Sequence, residues 1–170
     1  MKIYLAGSVP KGDAEAVGFD NWRVRYSKVL SSVFEGAEFV DPYVREADES
    51  DEKLVFGLDC EQIKSSDLIV VFAESQLGVG TSQEIVVAKY FGRPVITVLP
   101  KDTHHRRSNV VFHDVLIEDW IHPFLGSFSD FVVEKVEDIA GIAGLLDETE
   151  VKNMSVIDDA IDYASAKTKS

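Results

Sequence analysis

Gly78-Val79-Gly80-Thr81-Ser82-Gln83-Glu84 separates an apolar, strand-like run over residues 67–73 from an amphipathic, helix-like run over residues 85–91. A glycine-bearing turn of this kind joins a strand to a helix and lets a ligand approach the backbone without meeting a Cβ. The start of the helix adds free N–H groups and the positive end of a dipole. Glu84 sets the turn apart from a simple phosphate cradle, because it puts a carboxylate where an anion would sit. Thr81-Ser82-Gln83-Glu84 also fits the S/T-x-x-E capping box, in which Thr81 and Glu84 satisfy each other's backbone N–H groups. A cap and a chemical carboxylate are both open readings. Two glycines spaced by one residue are more than a cap requires.

Working outward, strand patterns fall at residues 2–6, 37–40, 68–72, 94–99 and 127–133. Helical spacing falls at residues 19–34 (Trp22, Tyr26, Val29, Leu30, Val33), at 53–64, at 82–91 and at 136–146. Residues 101–109 read as a polar loop containing His104, His105, Arg106 and Arg107, and residues 110–121 are mixed. The alternation predicts a flavodoxin-like (Rossmann-like) α/β three-layer sandwich, with a five-stranded parallel sheet in the order 2-1-3-4-5. The domain is expected over residues 1–148, followed by a helical tail over residues 149–170 with Val151, Met154, Ile157 and Ile161 on one side. In such sheets ligands bind outside the carboxyl ends of strands 1 and 3. That rule brings the first turn, with Gly7, Ser8, Lys11 and Gly12, beside the turn that ends in Gly78 and Gly80.

A net charge of -13, from 17 basic and 30 acidic residues, argues against a broad nucleic-acid surface, which needs clustered cations. It leaves room for a nucleotide-sized ligand. Cys60 is the only cysteine, so no internal disulfide forms and a reducing, cytoplasmic setting is expected. No apolar stretch reads as a signal segment or a membrane span. The four histidines lack a zinc spacing, and no Gly-x-Ser-x-Gly elbow is present. No metal site is expected.

Asp59, ahead of the third strand, can face the same crevice as Glu84. Two carboxylates in different environments can divide chemical roles, although Asp59 is also one of many surface acids. Tyr4, near the end of the first strand, either hydrogen-bonds a carboxylate or is a core aromatic. Arg106 and Arg107 are a second, weaker candidate for a phosphate contact.

Ile3-Tyr4-Leu5-Ala6-Gly7-Ser8, Asp59, Ser66-Asp67-Leu68-Ile69-Val70-Val71, the Gly78-to-Glu84 turn with Ile85 and Ala88, and Gly92-Arg93-Pro94-Val95 occur in an order and spacing that resemble the nucleoside 2-deoxyribosyltransferase family. That family includes the 2'-deoxynucleoside 5'-phosphate N-hydrolases. The resemblance covers residues 1–100. It implies that Glu84 attacks C1' of a deoxyribose, that Asp59 handles the proton of the base, and that Tyr4 orients Glu84. It further implies a small nucleoside or nucleotide substrate, no cofactor, and a homodimer or larger assembly whose site takes a residue from a neighbouring copy. Ser108 or Asn109 is the candidate for that residue. Ser82 stands where the family commonly has glycine. The first turn resembles the phosphate-binding version, but the arginine expected near it is missing from the local sequence and Lys11 is the nearest cation. The alternative reading is a nucleotide-binding module of the same fold that lacks turnover, with Glu84 only a cap.

Overall fold

The computed structural model describes residues 1–44 and 47–168. The central sheet holds β1 (Lys2–Ala6), β2 (Glu38–Val40), β3 (Leu68–Phe72), β4 (Val95–Val98) and a late strand, β7 (Phe131–Val133). All four pairings are parallel and the order is β2-β1-β3-β4-β7. This is the expected 2-1-3-4-5 arrangement with β7 in the fifth place.

Alternation along the strands builds two cores. Ile3 and Leu5 of β1, Leu68 and Val70 of β3 and Ile96 and Val98 of β4 pack on α2 (Trp22–Val33) through Trp22, Tyr26 and Leu30. Tyr4, Ala6, Ile69, Val71 and Val95 face the other way, toward Ile63 of α3 (Glu52–Ser65) and Ile85 and Ala88 of α4 (Val79–Tyr90). Each fully buried aliphatic side chain contributes about 1.5–3 kcal/mol, so these two faces fix which side of the sheet each helix covers. A short helix, α1 (Asp13–Ala16), follows the first turn. Asn21 caps α2 by accepting from the Arg23 N–H, and Asp51 caps α3 by accepting from the Leu54 N–H.

Three expectations need correction. The mixed segment and part of the expected polar loop form an antiparallel hairpin, β5 (Arg106–Phe112) and β6 (Val115–Ile121). Its two-residue turn, His113-Asp114, has positive φ at both positions, as a hairpin turn matched to strand twist requires. Second, residues 123–128 form α5 (Pro123–Phe128), so the fifth sheet strand begins at Phe131 rather than at residue 127. Third, the segment expected as a helix over residues 136–146 is two 3₁₀ turns, Val136–Gly141 and Ala143–Leu145. The tail carries a helix, α6 (Ser155–Lys167). No described helix is long and apolar enough to cross a membrane.

Candidate functional site

The turn that decides the fold is built differently from a capping box. Gly78, in an extended conformation, is the N-cap of α4 and no side chain caps the helix. Thr81 is buried within the first turn, and Glu84 falls on the second turn. The Thr81–Glu84 capping reading is therefore overturned. Gly78 starts the helix early because a glycine N-cap costs little, and Thr81 then faces the core. The helix dipole acts mainly within the first turn, so Glu84 lies beyond its main reach.

Glu84 is instead held by the sheet. The Tyr4 hydroxyl donates to Glu84 Oε1 at 2.7 Å. Tyr4 itself is fully buried. Burial first, then the charges of Glu84 and Asp59, push its phenol far above the ordinary tyrosine range. The shift favours the protonated phenol, the form that donates to Glu84. Asp59, half-buried on α3, bears on the same hydroxyl. The charges of two carboxylates, one from α3 and one from α4, thus act on one phenol, on the face of the sheet that carries these helices.

The first turn sits at the end of β1, between β2 and β3. Gly7 is required there: a Cβ would come within 2.4 Å of the Trp22 ring. Gly12 has φ of 83°, which few other residues adopt. Ser8 is exposed, and so is Lys11, whose backbone N–H donates to Glu15. The Lys11 side chain is thus at the surface of this turn.

The first turn carries no arginine of its own, and the one that reaches it from α2 supports its backbone carbonyls. Arg23, from α2, is 1% exposed. Its guanidinium donates to the carbonyls of Leu5 at 3.1 Å, Ser8 at 3.0 Å and Gly7 at 2.9 Å, and pairs with Asp41 at 3.1 Å. Burial pulls it below the ordinary arginine range, while Asp41, Glu84 and Tyr4 favour its charged form. Sequence reading missed Arg23 because it is separated from the turn by a helix entry. A signal was present, since Arg23, Tyr26 and Leu30 lie at i, i+3 and i+7 on the buried stripe of α2. Arg23→Lys keeps the charge but loses the forked geometry that serves three carbonyls. It is expected to cost about 2 kcal/mol, seen as a fall in Tm of roughly 4–8 °C by calorimetry.

Other candidates lie elsewhere. The Ser82 hydroxyl donates to the Gly78 carbonyl at 3.0 Å, and Ser82 lines a cavity on the flank of α4 opposite Glu84. Ser108 and Asn109 belong to β5, in the hairpin, and are not brought to Glu84 within the chain. Arg106 is buried at the hairpin base, bonded to Asp119 and to the Leu99 carbonyl, so it is not a free phosphate contact. Gly78 and Gly80 face open space, where a Cβ would meet nothing within 4 Å.

No protein-family model and no curated protein matches the chain. Solved structures do. A 2-deoxyribosyltransferase of Bacillus psychrosaccharolyticus aligns over 90% of this chain and 98% of its own, with TM-score 0.56 and 17% identity. A 2-deoxyribosyltransferase from Leishmania mexicana aligns over 86% and 97%, with TM-score 0.53 and 19% identity. The chain has the 2-deoxyribosyltransferase fold. At these identities the likeness concerns the backbone, and what the side chains do is argued from their own geometry.

Proposed function

We propose that the protein cleaves the N-glycosidic bond of a 2'-deoxynucleoside or its 5'-monophosphate through Glu84. The observation that carries this reading is the 2.7 Å bond from Tyr4 to Glu84, with the charge of Asp59 acting on the same phenol. A carboxylate nucleophile must be held still, and the hydrogen bond donated by Tyr4 does that for Glu84.

In the proposed reaction a Glu84 oxygen attacks C1', the bond from C1' to the base nitrogen breaks, and its electron pair leaves with the base. Asp59 handles the proton of the base. Water, or a nitrogen of a second base, then attacks C1' and releases the Glu84 carboxylate. This is double displacement with retention, as in retaining glycosidases. Lys11, Ser8 and the N–H groups at the start of α4 would meet a 5'-phosphate. The same reading carries an assembly of two or more copies. Exposed Val111, Phe112, Val115 and Leu116 at the hairpin end support it, because a lone two-stranded sheet is marginal in water.

The test is incubation with each deoxynucleoside and deoxynucleoside 5'-monophosphate, with and without a free acceptor base, followed by chromatography. Base release without acceptor marks hydrolysis. New nucleoside formed only with acceptor marks transfer. Binding that raises Tm with no base release from any substrate sinks the proposal and leaves the non-catalytic module. Within the proposal, Tyr4→Phe removes a hydrogen bond to a charged group. At about 1.5–3 kcal/mol it is expected to lower kcat by roughly 10- to 100-fold. An unchanged rate would deny Tyr4 its role.

A further inference from the structure

A cavity of about 330 Å³ lies on the flank of α4 away from Glu84, between that helix, α5 and the base of the hairpin. Helical geometry separates the two places. Thr81, Ile85, Ala88 and Lys89 form the buried stripe of α4. Glu84 lies to one side of the stripe, and Ser82 and Val86 lie to the other.

The chemistry of the cavity is distinct from that of the crevice. Among the described residues, no Lys, Arg, Asp or Glu lines it. Its floor is apolar, from Ile85, Leu125 and Phe128, and Phe124 stands 70% exposed at its rim. Two imidazoles, His105 and His122, form a wall, with ring centroids 5.8 Å apart. His105 Nε2 accepts from the Leu77 N–H at 3.0 Å, which requires the neutral ring. Burial, reinforced by the neighbouring His104 and His122, lowers its affinity for a proton. The His122 ring and the Gln83 carboxamide have no hydrogen-bond partner among the described residues. The cavity therefore combines apolar walls for ring faces with two unused polar groups for a ring edge. Its volume suits one or two rings and is at the lower end for small-molecule sites. The absence of a cation argues against a phosphate-bearing ligand.

We propose that this cavity binds an uncharged, flat heterocycle the size of a free nucleobase, at a site separate from the Glu84 crevice. The two places are linked through the cap of α4. Leu77 is bonded to His105, and the Ser82 hydroxyl is bonded to the Gly78 carbonyl. An occupant touching Leu77 and Ser82 thus bears on the residue before Gly78 and on the hydroxyl bonded to its carbonyl, where the Glu84 helix begins. The binding does not rest on the reading of Glu84 as a nucleophile.

The experiment is a titration of the full chain with adenine, followed by amide and imidazole NMR signals, with ribose 5-phosphate as the anionic comparison. Adenine is expected to shift the Leu77 amide and the His105 and His122 rings saturably, and to move the Gly78 and Val79 amides with them. Val86→Trp, which fills the cavity, is expected to weaken this response by about tenfold or more, and His122→Ala is expected to weaken it independently. Signals near Tyr4 report the other crevice and are expected to be indifferent to Val86→Trp. The proposal is overturned if millimolar adenine leaves Leu77, His105 and His122 unmoved, if only signals near Tyr4 move, or if the response survives both variants. It is also overturned if ribose 5-phosphate produces the same response. Motion at the cavity walls with Gly78 and Val79 unmoved would overturn the link to α4. None of these readings depends on turnover, so failure here and failure of the glycosidase proposal are distinguishable.

Discussion

Glu84→Gln is expected to lower kcat for base release by at least about 10⁴-fold, the scale of losing an activated nucleophile. Glutamine keeps the length and volume of the side chain, and its amide oxygen can still accept from Tyr4. The variant therefore tests charge and nucleophilicity rather than packing. A carboxamide does not form the ester with C1' that the proposed route requires. If Glu84 served only to support local structure, Glu84→Gln would instead lower Tm and leave the turnover of the folded protein almost intact. The measurements are single-turnover base release and calorimetry on the same preparation. Loss of turnover with Tm held within a few degrees upholds the assignment, and turnover within tenfold of the parent sinks it. Asp59→Asn gives a second axis. A group that handles the base proton matters most for the poorest leaving bases, whereas a structural carboxylate slows all substrates alike.

The sheet order was legible in the sequence because each central strand is a short apolar run closed by breakers, such as residues 68–72 before Glu74 and residues 95–98 before Pro100. The hairpin was not. Its turn is His113-Asp114 rather than an Asn-Gly pair, and β5 begins inside a stretch, His104 to Arg107, that reads as solvated loop. What converts Arg106 from a loop cation to an anchor is Asp119, thirteen residues away, a pairing that exists only once the hairpin has closed. Glu84, Asp59 and Tyr4 were identifiable as candidates, but how they are held was not. A capping box is a local pattern, and the contact that positions Glu84 spans 80 residues, from β1 to α4. Arg23 was obscured for a related reason. A buried arginine makes sense only beside the carbonyls it serves, and Leu5, Gly7 and Ser8 lie on another element.

Asp130→Ala is expected to destabilise the fold by about 3–5 kcal/mol, the scale of stranding a buried charge. Lys89 and Asp130 are paired with side chains 0% and 1% exposed. Burial pulls the Lys89 ammonium below its ordinary range, and the Asp130 carboxylate offsets that pull. Asp130 does more than neutralise Lys89. Its Oδ2 also accepts from the Val95 N–H at 2.6 Å, and its Oδ1 accepts from the Lys152 N–H at 2.8 Å. The Lys152 ammonium in turn donates to the carbonyls of Gly126 and Ser129. One carboxylate thereby ties α4, the start of β4 and the segment leading to α6 to the loop before β7. Removing it leaves a buried cation and two N–H groups without acceptors, and the fall in Tm for a chain of this size is roughly 6–20 °C. The double variant Lys89→Met, Asp130→Ala removes both charges and leaves no stranded cation, so it is expected to recover a large part of the loss. Denaturant unfolding of parent, both single variants and the double variant closes the cycle. A coupling below about 0.5 kcal/mol would mean that the pair is incidental and that the backbone contacts of Asp130 carry its effect.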